Sequence, residues 1–286
     1  FSKVIGKHDI SAVAGFELQN TYIRGIASQG TNVPIGLPIN YNQFDPADVV
    51  TSEIDQTRSR RSVFGRIQYA YDDRYLLTAS IRRDGDSRFG ANNQFATFPA
   101  LSLGWNMHNE SFWGEGDVWS RFKLRFSTGS LGTTSFLGSY DALSLLGTAP
   151  TAFGNGFLIP SNVANPDLTW QTNTETNYGT DLGFFNNRIR FSADYYTSDI
   201  EDMLINQSVS EVLGTPSIVL NRGNITSSGL ELELNASIVQ KQDFSWSVGA
   251  NLSTVNQEIT SLGDLDELPR VVYGGPSGRG PQFRNY

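Results

Sequence analysis

Ser62-Val-Phe-Gly-Arg-Ile-Gln-Tyr-Ala-Tyr71, then Asp72-Asp73-Arg74, then Tyr75-Leu-Leu-Thr-Ala-Ser-Ile-Arg-Arg-Asp84. Two runs of about ten residues flank a short polar turn, the sequence form of a tight β-hairpin. Side chains alternate along a strand. Val63, Gly65, Ile67, Tyr69 and Tyr71 therefore share one face with Tyr75, Leu77, Ala79 and Ile81. Phe64, Arg66, Gln68 and Ala70 share the other with Leu76, Thr78, Ser80, Arg82 and Asp84. One face is apolar with aromatic ends, and its opposite carries charge. Strands of globular proteins run to about five or six residues, whereas a tilted strand that crosses a bilayer needs about 9–11. The hairpin has the length of the second kind.

Bulk properties agree. The 286 residues are 38% hydrophobic and only 17% charged, with 28 glycines and no cysteine. The net charge of −8 argues against a nucleic-acid partner, which calls for a basic face. No apolar run is long enough for a transmembrane helix, and helical periodicity is not sustained. Lack of cysteine removes disulfides, thiolate metal sites and cysteine nucleophiles together.

Outward from the hairpin, the alternation recurs. Ile10, Ala12, Ala14, Phe16 and Leu18 oppose Ser11, Val13, Gly15, Glu17 and Gln19. A long irregular loop is expected over Asn20–Arg58, which holds Pro34, Pro38 and Pro46. A strand is expected over Thr97–Met107, and another carries Phe122, Leu124, Phe126 and Thr128 against Lys123, Arg125, Ser127 and Gly129. A second long loop follows over Gly132–Asp167. Two strands then flank Phe185-Asn186-Asn187, and a third loop covers Ile200–Arg222. The last pair sets Leu230, Leu232, Leu234, Ala236 and Ile238 across a turn from Phe244, Trp246, Val248, Ala250 and Leu252. Short turns at one end and long loops at the other make an all-β antiparallel meander of the transmembrane-barrel kind.

Charge decides which way the faces point. A charged side chain at the lipid-facing midplane costs about 2–4 kcal/mol. Arg66, Arg82, Lys123, Arg125, Glu231 and Glu233 must therefore line a wet lumen, and they are the candidate ligand-contacting wall residues. Tyr71, Tyr75, Phe184, Phe244 and Trp246, near the turns, fit an interfacial aromatic girdle. Loop aromatics Tyr22, Tyr41, Phe136, Tyr140, Phe153 and Phe157 are candidates for stacking on sugar rings, or else pack on one another.

Several stretches carry a family resemblance. Tyr75–Gly90 with its Asp-Gly-Asp-Ser-Arg-Phe-Gly end, Thr97-Phe98-Pro99, Gly104-Trp105, Leu124–Gly129, Asn165-Pro-Asp-Leu-Thr-Trp-Gln-Thr172, Gly183–Arg188, Asp194-Tyr195-Tyr196 and Gly229–Leu232 occur in this order. Together they resemble SusC/RagA-type TonB-dependent outer-membrane transporters of Bacteroidetes. The resemblance implies TonB-driven import of an oligosaccharide or peptide across the outer membrane, with a SusD-like surface lipoprotein as partner. It implies a barrel of about 22 strands around an N-terminal plug. About ten strands are visible here, with no plug-like or TonB-contacting segment. Residues 1–286 are thus expected to be the central barrel segment of a longer polypeptide, embedded in outer-membrane lipid. An open sheet in lipid would leave unpaired backbone groups, each costing several kcal/mol.

Catalytic and metal patterns are weak, and neither a cofactor nor a metal is expected. His8 and His108 lie far apart at a turn and a strand end, without an orienting partner in sequence. Asp84-Gly85-Asp86 lacks the spacing of a calcium loop, so capping and pairing with Arg88 is the better reading. Gly274–Gly280 lacks the Lys-Ser/Thr ending of a phosphate loop. Glu231 and Glu233 have the look of a glycosidase pair but are better explained as lumen lining. Import leads; a non-transporting scaffold in a surface or secretion complex is the alternative, and a barrel enzyme lacks a nucleophile with a neighbouring histidine.

Overall fold

A computed structural model describes residues 1–30, 49–114, 118–134, 137–149, 157–209 and 217–263. Its strands are β1 (Ser2–Ile5), β2 (His8–Gly30), β3 (Val49–Tyr71), β4 (Tyr75–Asp86), β5 (Phe95–Asn106), β6 (Trp119–Thr133), β7 (Leu145–Ala149) and β8 (Phe157–Asn162). Then come β9 (Gln171–Phe184), β10 (Ile189–Glu201), β11 (Leu204–Ser208), β12 (Ser217–Asn221), β13 (Asn224–Gln240), β14 (Ser245–Ser253) and β15 (Asn256–Ser261). Eleven of them form one antiparallel sheet in the order β1-β2-β3-β4-β5-β6-β9-β10-β13-β14, with β15 continuing alongside β13. The hairpins β7–β8 and β11–β12 stand apart from it. Among the described residues the sheet does not close on itself.

The opening hairpin has the expected register: Tyr71 pairs with Tyr75, Ile67 with Ala79 and Phe64 with Arg82. Asp72 and Asp73 both take φ of 52°, the left-handed conformation that short polar side chains tolerate, and Arg74 N–H closes the turn on Tyr71 O at 2.9 Å. The turns β1–β2, β3–β4, β9–β10 and β13–β14, and the connector 107–118, fall at one end of the sheet. The long connections fall at the other.

Three expectations need correction. Asn20–Arg58 is not one loop, since β2 runs on to Gly30 and β3 begins at Val49. Two-residue alternation persists there, Tyr22 with Thr57 and Ile26 with Glu53, and all three prolines fall outside the described residues. The loops 132–167 and 200–222 also hold short hairpins of their own, β7–β8 and β11–β12. Finally, the strand expected at Thr97–Met107 spans Phe95–Asn106. Pro99 fits there because it pairs with Ile81 of β4, while pairing to β6 begins only at Ala100.

An apolar row crosses the outward face from β2 to β13: Ile10, Tyr69, Leu77, Leu103, Phe126, Tyr178, Tyr195 and Leu230. Little covers these side chains; Leu103 is 44% exposed and Tyr178 54%. Stacked Tyr71, Tyr75 and Trp105 bound the face at the tight-turn end, joined by Trp113, Trp119, Phe122 and Phe184. Arg83, over the Phe95 ring at 5.5 Å, is the first outward charge toward the other end on β4. Tyr75 to Arg83 is eight residues, about 20 Å of height at a strand tilt near 40°, close to the ~25 Å apolar band of a membrane barrel. Beyond Arg60, β3 pairs only with β2, so this pair projects past its neighbours as a two-stranded ribbon.

Candidate functional site

The polar alternates form the opposite face, which the cost of charge in lipid assigns to the lumen as an inner wall. Next to the tight-turn end, one row holds Lys123, Asp181, Ser192 and Glu233, and the next holds Arg125, Gly179, Asp194 and Glu231. Four of the six wall residues expected from sequence thus meet in one patch. Arg66 and Arg82 stand apart on β3 and β4, nearer the long loops.

Arg125 is the hub of the patch. Its Nη2 donates to Asp181 at 3.0 Å and to Asp194 at 2.8 Å, and its Nη1 donates to Asp194 at 2.9 Å. Ser192 Oγ lies within hydrogen-bond reach of both carboxylates, 3.3 Å from Asp181 and 3.2 Å from Asp194. Gly179 makes room for this fork, because a Cβ there would lie 2.7 Å from the guanidinium carbon. Fork geometry is what arginine supplies and lysine does not. Beside it, Arg121, Asp181, Arg190, Ser192, Glu233 and Asn235 line a recess of about 350 Å³.

Arg82 is held between Glu17 at 2.9 Å and Asp84 at 2.6 Å, and it lies 5.4 Å over the Phe64 ring. Glu233 accepts from Asn235 at 2.7 Å. Arg66, Lys123 and Glu231 form no ion pair among the described residues. Asp181 and Asp194 were not singled out from sequence as Arg125's partners. The signal was cross-strand register, which sets opposite charges side by side only once the strands are paired.

Between the charged rows and Arg66 runs a row without charge: Gln68, Thr78, Ser102, Ser127, Asn177 and Tyr196. Such side chains offer hydrogen bonds to a hydrated solute without fixing an ion. A hollow of about 620 Å³ is lined chiefly by Tyr69, Tyr75, Leu77, Leu103, Trp105 and Phe126 of the outward face. It suits acyl chains rather than a polar ligand.

At the tight-turn end, polar contacts join three connections. Lys7 pairs with Asp72 at 2.8 Å, Arg74 with Asp72 at 3.3 Å and with Glu110 at 3.4 Å. Trp105 Nε1 donates to Glu110 at 3.0 Å. Hydrogen bonds from Tyr75 and Trp105 hold the Glu110 carboxyl below its ordinary value, and Lys7 does the same for Asp72. His8 bonds the Tyr69 hydroxyl and His108 the Phe122 backbone, so the two stay separate. Among the loop aromatics, Tyr41, Phe136 and Phe153 lie outside the described residues. Tyr140 is half-buried, its hydroxyl accepting from Thr57 N–H at 3.0 Å. Tyr22 stands exposed on the ribbon.

Comparison with known proteins places this geometry. The family model described as TonB dependent receptor-like, beta-barrel matches residues 6–282. TonB-dependent receptor P3 of Formosa agariphila is 31% identical over 94% of the chain, and TonB-dependent receptor SusC of Bacteroides thetaiotaomicron is 31% identical over 96%. The chain spans 27% and 28% of their respective lengths. The solved structure of the RagAB peptide transporter superposes with a TM-score of 0.78 and 26% identity, over 92% of this chain and 29% of that one.

Proposed function

The chain belongs to the TonB-dependent receptor β-barrel family, of the SusC/RagA type, and lies in the outer membrane; on that premise we propose that it is part of the wall of an importer for large polar nutrients. The remaining strands and the plug come from other parts of a longer polypeptide, and the edges of β1 and β14, unpaired among the described residues, are where the barrel continues. Import is driven through TonB and served by a SusD-like lipoprotein at the long-loop end. The cargo is an oligosaccharide or a peptide, the second suggested by the likeness to the RagAB peptide importer.

One observation carries this reading: the sheet is greasy outside and wet inside along the same strands. Cargo passes a wall whose middle row (Gln68, Thr78, Ser102, Ser127, Asn177) hydrogen-bonds without charge, above a belt of arginines and carboxylates centred on Arg125. Lys123, Arg125, Glu231 and Glu233 then contact whatever fills the lumen, and Arg66 and Arg82 stand nearer the mouth.

The test is deletion of the full-length gene, with growth measured on single oligosaccharides and on oligopeptides, together with affinity purification of the intact protein. Import predicts loss of growth on one cargo class and copurification of one lipoprotein. Unchanged growth on both classes, with other stable subunits copurifying, would overturn import in favour of a surface scaffold.

A further inference from the structure

The long connections meet in a buried cluster that the inner wall does not use. The Asp86 side chain is fully buried and the Arg88 side chain is 9% exposed. Arg88 Nε and Nη2 donate to the two Asp86 oxygens at 2.9 and 2.7 Å. Its remaining donors reach Thr134 O at 3.1 Å, Leu137 O at 3.4 Å and the Thr134 hydroxyl. Phe89, Phe98, Leu137, Leu168, Trp170 and Leu204 pack around them, almost without exposure. Gly90 N–H donates to Leu168 O at 3.0 Å, and a Cβ at Gly90 would overlap the Pro166 carbonyl.

The contacts continue in both directions. Toward β3, Arg58 donates to Ser139 Oγ and Ser139 donates to Gln56, both at 2.8 Å. Toward β12, Asn165 Nδ2 donates to Val219 O at 3.0 Å, and Asn221 bonds both backbone groups of Thr169 at 2.8 Å. Opening the connection after β4 or β6 would part the buried Arg88 from Thr134 and Leu137, and opening the one after β10 would uncover Leu204 of the apolar cluster; Asp86 also has Arg60 at 3.4 Å. Segments that move are drawn from the least stable parts of a fold, and this one is not among them.

We infer that the Asp86–Arg88 pair, with the apolar cluster around it, is a clasp joining the connections after β4, β6 and β10 into one fixed collar, and that these loops do not open or close the mouth. The second half rests on the import reading; the first does not.

The test uses the full-length protein in its membrane. Asn92 Nδ2 donates to Asp167 Oδ1 at 3.1 Å, and these 286 residues contain no cysteine. Asn92→Cys with Asp167→Cys, joined by a short thiol crosslinker, ties two of the connections. Uptake equal to that of the uncrosslinked pair supports a fixed collar, whereas loss of uptake on crosslinking overturns it. Should the parent protein import nothing, the import reading fails by itself and hydrogen exchange judges the clasp. Amides of 86–93 and 165–170 are then expected to be protected in the parent. In Arg88→Gln they should exchange faster by on the order of a hundredfold, with β9 and β10 unchanged. Equal exchange in parent and variant refutes the clasp. If Arg88→Gln does not assemble, Asn165→Ala serves: faster exchange confined to β11–β12 supports the collar, and no change refutes it.

Discussion

Replacing Ile67 and its neighbour Gln68 with arginine, one at a time, separates the two faces of a single strand. Ile67 points outward beside Ala12 and Ala79, 54% exposed, and Gln68 points to the inner wall beside Thr78. Ile67 lies four residues from Tyr71 in the aromatic row, about 10 Å of depth at a 3.3 Å rise and 40° tilt. That is near the middle of a ~25 Å apolar band, where a lipid-facing arginine costs about 2–4 kcal/mol. The same arginine at Gln68 meets water, and surface substitutions stay within about 0.5 kcal/mol. Denaturant titration of the full-length protein in phospholipid vesicles reads both. A Gln68→Arg cost equal to or above that of Ile67→Arg would refute the assignment of faces.

Three further outcomes follow from the same geometry. Arg125→Ala leaves Asp181 and Asp194 facing each other, and because the cluster is part-exposed the loss is about 1–2 kcal/mol in the same titration; Arg125→Lys should restore only part of it, since the fork is gone. Gly90→Ala forces the β4–β5 connection off the Pro166 carbonyl, so limited proteolysis should cut that loop faster while the barrel keeps its heat-modifiable gel mobility. Asp72 and Glu110 have lowered pKa values, so their stabilisation is complete above the ordinary carboxylate values of 3.8 and 4.5 and is lost as pH falls through the lower folded-state values. Thermal melts should fall less steeply on acidification in Glu110→Gln than in the parent; an equal fall would discount the turn network.

Much of this was legible in the chain itself, because period-two alternation is local. It located the Ser62–Asp84 hairpin, the faces and the unequal ends. The same rule applied past Asn20 would have extended β2 to Gly30, but Pro34, Pro38 and Pro46 suggested a longer break than the strands show. Pairing of Asp86 with Arg88 is an i, i+2 relation and was visible. Its enclosure by Leu168 and Trp170 was not, since nothing in residues 84–90 signals a partner some eighty residues on. The Arg125 cluster likewise depends on strand order across β6, β9 and β10. Hairpin β7–β8 is short enough to be lost in a Gly-, Ser- and Thr-rich loop, and β11–β12, five residues a side, is too short to carry a clear alternation.

Sidedness is measured most directly by a spin label moved one residue at a time along β3 and β4 of the full-length protein in bilayers. Labels at 67, 77 and 81 should collide with oxygen dissolved in the lipid, and labels at 66, 68 and 78 with a water-soluble nickel chelate. A period-two alternation of the two accessibilities is the predicted result. Uniform accessibility, or the alternation with its phase reversed, would contradict the barrel wall proposed for this chain.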